Sequence, residues 1–438
     1  MIDSISQLES CCISEISFHI YNSRCLDLEY RLWPNRRGET GLNERTQIMT
    51  VTLESLRGRV GDVDAHEFIP IHRFPEFFGE VGQRFIDNNK GLFQTLDMVP
   101  ETHPHRLTKK ALDNEQITEQ TVWEKKGIYA PGHANFDRRL AVMDKMGVQR
   151  ELVFPGFGLL GLIQSLGGGQ GGIPVATPEE ISMGREAIGE HNRWAGHLTR
   201  MHPARLRIVG MISTGDLDLT PQLLTKRAQD VIDLGVKAIQ ISSGEPPAGL
   251  SPADPKLDPF YAVFAQTGTV LTFHPPSQLG YRKTDAWEVS VRPDLATAVS
   301  FHQAMENFLG LMIVGGVFDR HPTLRVGMIE TLPEWIGPMI ERLESRGEGA
   351  MKLDLSHLAL KPSEYVVRNV RASVLLGEPI ERWLERWPYL QDVLCWSSDY
   401  PHIEGGQWAL QEAFRRVAPF GDDVVEKYFV KNSALIFD

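Results

Sequence analysis

The sequence predicts an α/β fold, a (β/α)8 TIM-type barrel with a long insertion after its first strand and an N-terminal extension. Three observations lead there. Eight short apolar runs recur between residues 61 and 398, stretches of helical periodicity stand between them, and several runs end on acidic or imidazole side chains. Apolar runs alternating with helices argue for βα units and a parallel sheet, and eight such units make a closed barrel rather than an open sheet.

The runs are 61–66, 151–154, 206–212, 236–241, 269–274, 325–330, 372–376 and 393–398. Between the first and second, 136–146 carries Leu140, Met143 and Met146 at helical spacing. Before the fourth, 221–234 opens with Pro221, well placed at a helix start. After the sixth, Trp335, Ile336, Met339, Ile340 and Leu343 form one apolar stripe. Two intervals exceed simple connections. Residues 70–129 are the insertion. Residues 154–179 hold Leu166-Gly167-Gly168-Gly169-Gln170-Gly171-Gly172. No Lys-Ser/Thr follows these glycines, so they fail the phosphate-loop pattern, and a mobile loop over the barrel mouth is expected, with plain surface slack the alternative.

Residues 1–48 differ from the rest: a mildly apolar stretch gives way to the loop-like Trp33-Pro34-Asn35-Arg36-Arg37-Gly38-Glu39 before a second methionine, Met49. They are expected outside the core, with 49–438 forming the barrel domain; an arm that packs on a partner is the alternative. The 438 residues are 42% hydrophobic and 23% charged, enough to bury a large core. A net charge of -12 disfavours nucleic acid, since phosphate contact needs a basic face. No apolar run approaches the roughly 20 residues of a membrane helix. Cys11, Cys12, Cys25 and Cys395 match neither a disulfide framework nor a zinc ribbon, and a reducing cytoplasm is the expected location.

Barrel enzymes carry their chemistry where strands end. The first run ends Asp62-Val63-Asp64-Ala65-His66, and residues two apart on a strand share a face, so Asp64 and His66 point together. The fifth ends at His274, the sixth at Glu330, and the eighth leads into Asp399. Each has a plainer explanation: a satisfied polar residue, a turn, a helix cap. Together, carboxylates and imidazoles at one rim have the composition of a divalent metal site, Zn or Mn, with Zn slightly favoured by the histidines. Arg73 and Arg282 are candidates for clamping a substrate carboxylate, and His402 for a supporting or turn role.

Several motifs in order resemble the amidohydrolase superfamily, in the amidohydrolase 2 branch typified by aminocarboxymuconate semialdehyde decarboxylase. They are Asp62-Val63-Asp64-Ala65-His66, Val236-Lys237-Ala238-Ile239-Gln240-Ile241, Asp254-Pro255 with Leu257-Asp258-Pro259-Phe260, Thr272-Phe273-His274-Pro275, Gly315-Gly316-Val317-Phe318-Asp319-Arg320-His321-Pro322 and Ser398-Asp399-Tyr400-Pro401-His402. The resemblance covers the chain from about Val60 onward. It implies a single metal held by Asp64, His66, His274 and Asp399; Asp399, His274 and, from its place at the sixth strand end, Glu330 are the candidate catalytic groups. The decarboxylases commonly end their sixth strand in histidine; Glu330 departs from that and leaves the acid/base assignment open.

The expected function is therefore a metal-dependent enzyme acting on a small aromatic or unsaturated carboxylic acid, as a non-oxidative decarboxylase or carbon-carbon lyase. The alternatives are a hydrolase of an amide, ester or lactone, and a barrel that binds metal without catalysis. Pairing through outer helices into a homodimer is expected.

Overall fold

The computed structural model describes residues 50–90, 116–168, 175–214, 219–281, 299–348 and 354–438. The expectations for residues 1–48, for Arg282 and for residues 169–172 of the glycine run lie outside the described residues.

Nine strands are present among the described residues: β1 (Val60–His66), β2 (Val148–Phe154), β3 (Leu206–Ile208), β4 (Gly210–Ile212), β5 (Ala238–Ile241), β6 (Val270–Phe273), β7 (Arg325–Met328), β8 (Val370–Val374) and β9 (Leu394–Trp396). They pair in parallel and in chain order, as β1-β2-β3 and as β4 through β9. β3 and β4 are the predicted run 206–212, interrupted at Val209, whose N–H donates to the Val153 carbonyl at 2.9 Å. The ring closes between its ends. Ala65 bridges Tyr400 in parallel, Asp399 N–H donates to the Asp64 carbonyl at 2.8 Å, and His66 N–H donates to the Tyr400 carbonyl at 2.7 Å.

Strands of such a sheet are covered on both faces and read as continuous apolar runs. All seven residues of β1 are buried. Inside the ring, Val63, Leu152, Phe154, Val209, Ala238, Val270, Ile329 and Cys395 pack with Ile436 and Phe437 of the C-terminal helix Ala434–Phe437, which plugs the end where the strands begin. Gly61 admits this plug, because a Cβ there would lie 2.1 Å from Ser433 Oγ. The outward faces pack against the surrounding helices in a second, larger core.

The helix Phe136–Met146 is capped by the Asn135 side chain, which accepts from Arg138 N–H, and Pro221–Asp233 is capped by Thr220. The stripe at 335–343 lies in the 3-10 turn Pro333–Trp335 and the helix Ile336–Glu348. Two expectations need correction. The interval 154–179 is not simply a loop: Phe157–Ser165 is a helix, mostly buried, packed on the long helix Pro178–Met201. A helix apolar on all sides presents no one-sided stripe for periodicity to find. β2 also begins three residues before the predicted run, since Gln149 is exposed and Arg150 only partly buried, which hid the strand's start.

Candidate metal centre

Four strand ends and the segments leaving them build one buried cluster. On β1 the register slips between Asp62 and Ala65, so that three steps along β1 match two along β2. Such a bulge re-aims side chains; Val63 turns into the barrel core while Asp64 and His66 reach the rim. His274 follows β6, Glu330 stands two residues beyond β7, and Asp399 stands three beyond β9. Donor atoms of Asp64, His66, His274 and Glu330 all lie within 4.8 Å of one another, and those of His66, Asp399 and His402 form a second such group sharing His66. His66 Nε2 is 3.4 Å from Asp64 Oδ1 and 3.2 Å from Asp399 Oδ1; His274 Nε2 is 3.5 Å from Asp64 Oδ1 and 2.8 Å from Glu330 Oε2.

The donor set fits a cation. Both Asp64 oxygens, Asp399 Oδ2 and His66 Nε2 are buried without a hydrogen-bond partner, and His274 Nε2 meets the Glu330 carboxylate. Burying such atoms unpaired is costly unless something positive meets them. Metal bonds of about 2.0–2.2 Å imply ligand-to-ligand separations near 3–3.5 Å, which spans the 3.2, 3.4 and 3.5 Å found here. The His274 ring is turned so that Nε2, once it gives up its proton, would face a cation. Its Nδ1 lies 2.7 Å from the Pro275 carbonyl, which can only accept, so Nδ1 carries hydrogen and Nε2 faces the carboxylates. The Phe154 ring stacks on His274 at 4.2 Å and helps fix its plane.

Both late acids sit in strained backbone. Glu330 has φ 54° and Asp399 φ 48°, the left-handed region that non-glycine residues avoid at a cost of about 1–3 kcal/mol each. Hydrogen bonds hold them: Glu330 N–H donates to Ser373 Oγ of β8 at 2.6 Å, and Asp399 N–H to the Asp64 carbonyl. Gly405 closes over the second turn, where a Cβ would lie 2.0 Å from the Ser398 carbonyl oxygen.

Charge follows from burial and neighbours. Burial would lift the Asp399 carboxyl, but His402 and His66 outweigh it and hold it well below the usual carboxylate range. Burial would lower His402, yet Asp399, 2.9 Å from its Nδ1, raises it to about 9. In the same way His274 is raised to about 10 against burial by Glu330 and Asp64. Glu330 is pushed up to about 7, chiefly by burial, with His274 opposing.

Of the substrate-contact candidates, His402 joins the cluster, its ring 3.9 Å from that of His66. Arg73 is buried, its guanidinium pairing with Glu76 at 3.0 Å and lying over Phe77. Sequence reasoning missed several neighbours. Glu67 accepts from the N–H groups of Ile69, Gly156 and Phe157, tying the end of β1 to the segment after β2. Asp62 accepts from Ser398 N–H at 3.0 Å. Lys126 lies beside this rim: Gly127 N–H donates to the Pro401 carbonyl, and the lysine is lowered to about 8 by burial, with Asp399 and Glu404 pulling it upward. Glu67 and Lys126 fall in none of the motifs read from the sequence, and Asp62 stands inside one whose signal lies in Asp64 and His66.

A closed parallel barrel with acids and imidazoles at the C-terminal rim defines the class of metal-dependent hydrolases and lyases. The chain belongs to the amidohydrolase family, whose sequence model, described as "Amidohydrolase", matches residues 149–438. It is thus an enzyme of that kind, a carboxy-lyase or a hydrolase. Among solved structures it is similar to an amidohydrolase from Mycobacterium avium subsp. paratuberculosis K-10, with 18% identity over 87% of this chain and 98% of that chain and a TM-score of 0.61. It is similar to 5-carboxyvanillate decarboxylase from Sphingomonas paucimobilis, with 19% identity, 87% and 99% coverage and a TM-score of 0.54. A third is dihydroxybenzoic acid decarboxylase from Polaromonas sp. JS666, solved with manganese and 2-nitroresorcinol, at 13% identity, 86% and 97% coverage and a TM-score of 0.50. At these identities the likeness is one of fold. Comparison with curated proteins finds no match. Among the described residues no helix is long and apolar enough to cross a membrane.

Proposed function

We propose that the protein is a non-oxidative decarboxylase of a small aromatic or unsaturated carboxylic acid, using one divalent ion, manganese or zinc, held by Asp64, His66, His274 and Asp399. The observation that carries this reading is the gathering of donor atoms from these four residues at one buried rim, with both Asp64 oxygens, Asp399 Oδ2 and His66 Nε2 left without a hydrogen-bond partner. Manganese and an aromatic inhibitor bound to the Polaromonas decarboxylase support the choice of metal and substrate class.

Bound there, a divalent cation would supply charge that polarises a substrate oxygen and acidifies water. The protein's own groups do the rest. His402 keeps Asp399 ionised, so the acid is ready as a ligand without losing a proton first. Glu330, raised to about 7, holds a proton near neutrality in a buried setting. In decarboxylation, the electrons of the breaking C–C bond remain on the substrate carbon, carbon dioxide leaves, and the carbon takes one proton. Glu330 is the group in this cluster suited to give it. Phe154 and Phe68, packed on His274 and His402, supply apolar walls that keep bulk water from that carbon.

A hydrolase reading draws on one feature: a carboxylate stands at Glu330 where the decarboxylases commonly carry histidine, and an ionised Glu330 would serve as base toward water. Assaying carbon dioxide release on a panel of aromatic and unsaturated acids, beside turnover of lactones and esters, separates the two. Lactone or ester turnover with no carbon dioxide released would overturn the lyase reading.

A further inference from the structure

Outside the cluster, Arg139, on the helix Phe136–Met146, is a buried charged group. It is fully buried, as is Glu151 of β2, with which its Nε pairs at 2.7 Å. A charged pair removed from water is a weak source of stability, and hydrophobic residues of similar volume often do as well. The remaining contacts of Arg139 point to another use. Nη1 donates to the His66 carbonyl at 3.3 Å and Nη2 to the Tyr400 carbonyl at 3.2 Å, while the guanidinium lies 4.4 Å over the Tyr400 ring. The Tyr400 hydroxyl is itself anchored on the Pro131 carbonyl at 2.6 Å.

Those two carbonyls flank the place where the barrel closes. There the first and last strands share no continuous ladder; a single parallel bridge, two backbone hydrogen bonds and the Ser398 N–H donated to Asp62 join them. Asp64 and His66 stand on one side of the seam and Asp399 on the other. A shift along it moves Asp399 relative to the β1 pair, and a metal site tolerates little such movement. We infer that Arg139 is a positioning residue, whose planar fork pins the His66 and Tyr400 carbonyls across the barrel seam and so fixes the spacing of Asp64 and His66 from Asp399. The inference rests on the metal reading above for its consequence, though the seam exists without it.

The test begins with R139K. Lysine keeps a charge for Glu151 but cannot reach two carbonyls as a rigid fork. Two measurements on the full chain are expected to change: Mn2+ affinity of the metal-free protein, by titration, falls at least about 10-fold, the scale seen when supporting contacts around metal ligands are lost; and amide hydrogen exchange at His66 and Asp399 quickens in the absence of metal. Should R139K fail to fold, R139M/E151L removes both charges together and is read the same way. Either variant folding with native Mn2+ affinity and native exchange at the seam, whatever its melting temperature, would reduce Arg139 to core packing and overturn the inference. If wild-type protein takes up no stoichiometric Mn2+, the metal reading falls by itself, and exchange at the seam still decides whether Arg139 holds it.

Discussion

The Asp399 N–H donates to the Asp64 carbonyl at 2.8 Å, across 335 positions of sequence, so the backbone that carries one acid is hung on the backbone that carries the other. The two side chains converge on His66, 3.4 Å from Asp64 and 3.2 Å from Asp399. A parallel barrel makes this arrangement natural, because its first and last strands are neighbours.

The first prediction follows from that convergence. Asp399→Asn keeps the size of the side chain and its acceptor for His402 but removes the charge. It should lose activity by more than about 100-fold, beyond what loss of a supporting contact causes, while far-ultraviolet circular dichroism stays native. Full turnover by this variant would leave Asp399 as a turn residue.

Metal binding should release protons, and its affinity should therefore rise with pH. Metal-free, His274 is raised to about 10 by Glu330 and Asp64 against burial, and His402 to about 9 by Asp399 against burial. Both lie above the unfolded value of about 6.5, so their contribution to stability is complete below that pH and is lost as pH climbs through 9 and 10. Melting curves at several pH values, with chelator and with excess Mn2+, should diverge: the metal-free protein weakens towards alkaline pH, and the increment from metal grows there. A metal increment that shrinks between pH 6.5 and 9 would contradict this. His274→Ala should bind less than one ion per chain by elemental analysis.

How far the sequence foretold this site depends on the range of the signal. Asp64, His66, His274, Glu330 and Asp399 were legible because each terminates an apolar run, and strand ends of a barrel share a rim. Glu330 beside His274 follows from neighbouring strand ends, while the turn that aims it, with φ 54° and the Ser373 bond, is announced by no local pattern. Arg73 follows the first strand closely enough to suggest the mouth, yet Glu76 one turn away captures it. Lys126 and Arg139 lie in stretches with ordinary helical or loop composition, and only the closing of the ring sets them against Tyr400 and Pro401.

Lys126 should govern affinity for an anionic substrate. It lies near the Asp399 turn and is lowered to about 8 by burial, so its charge is present below that pH and lost above it. A charge-assisted hydrogen bond contributes about 1.5–3 kcal/mol, so Lys126→Met should raise KM for a carboxylic acid roughly 10-fold or more with kcat little changed. In the wild type, KM should climb above pH 8. A flat KM in both comparisons would place the lysine outside substrate binding.

The sign of one limb in the pH profile distinguishes the two chemistries. Glu330 is pushed up to about 7 by burial, against His274, and a cation beside it would draw that value down by favouring the carboxylate. If Glu330 gives a proton to carbon, kcat must fall as pH rises through its pKa; if it takes one from water, kcat must rise. Decarboxylation predicts the falling limb, at or below about pH 7, and its disappearance in Glu330→Gln with a loss on the order of 100-fold or more. Glu330→His restores a group that can hold a proton at the same strand end, so it should recover part of the rate and shift the limb. A rising limb that vanishes in Glu330→Gln would instead assign the carboxylate to water activation, and with it the chain to the hydrolases.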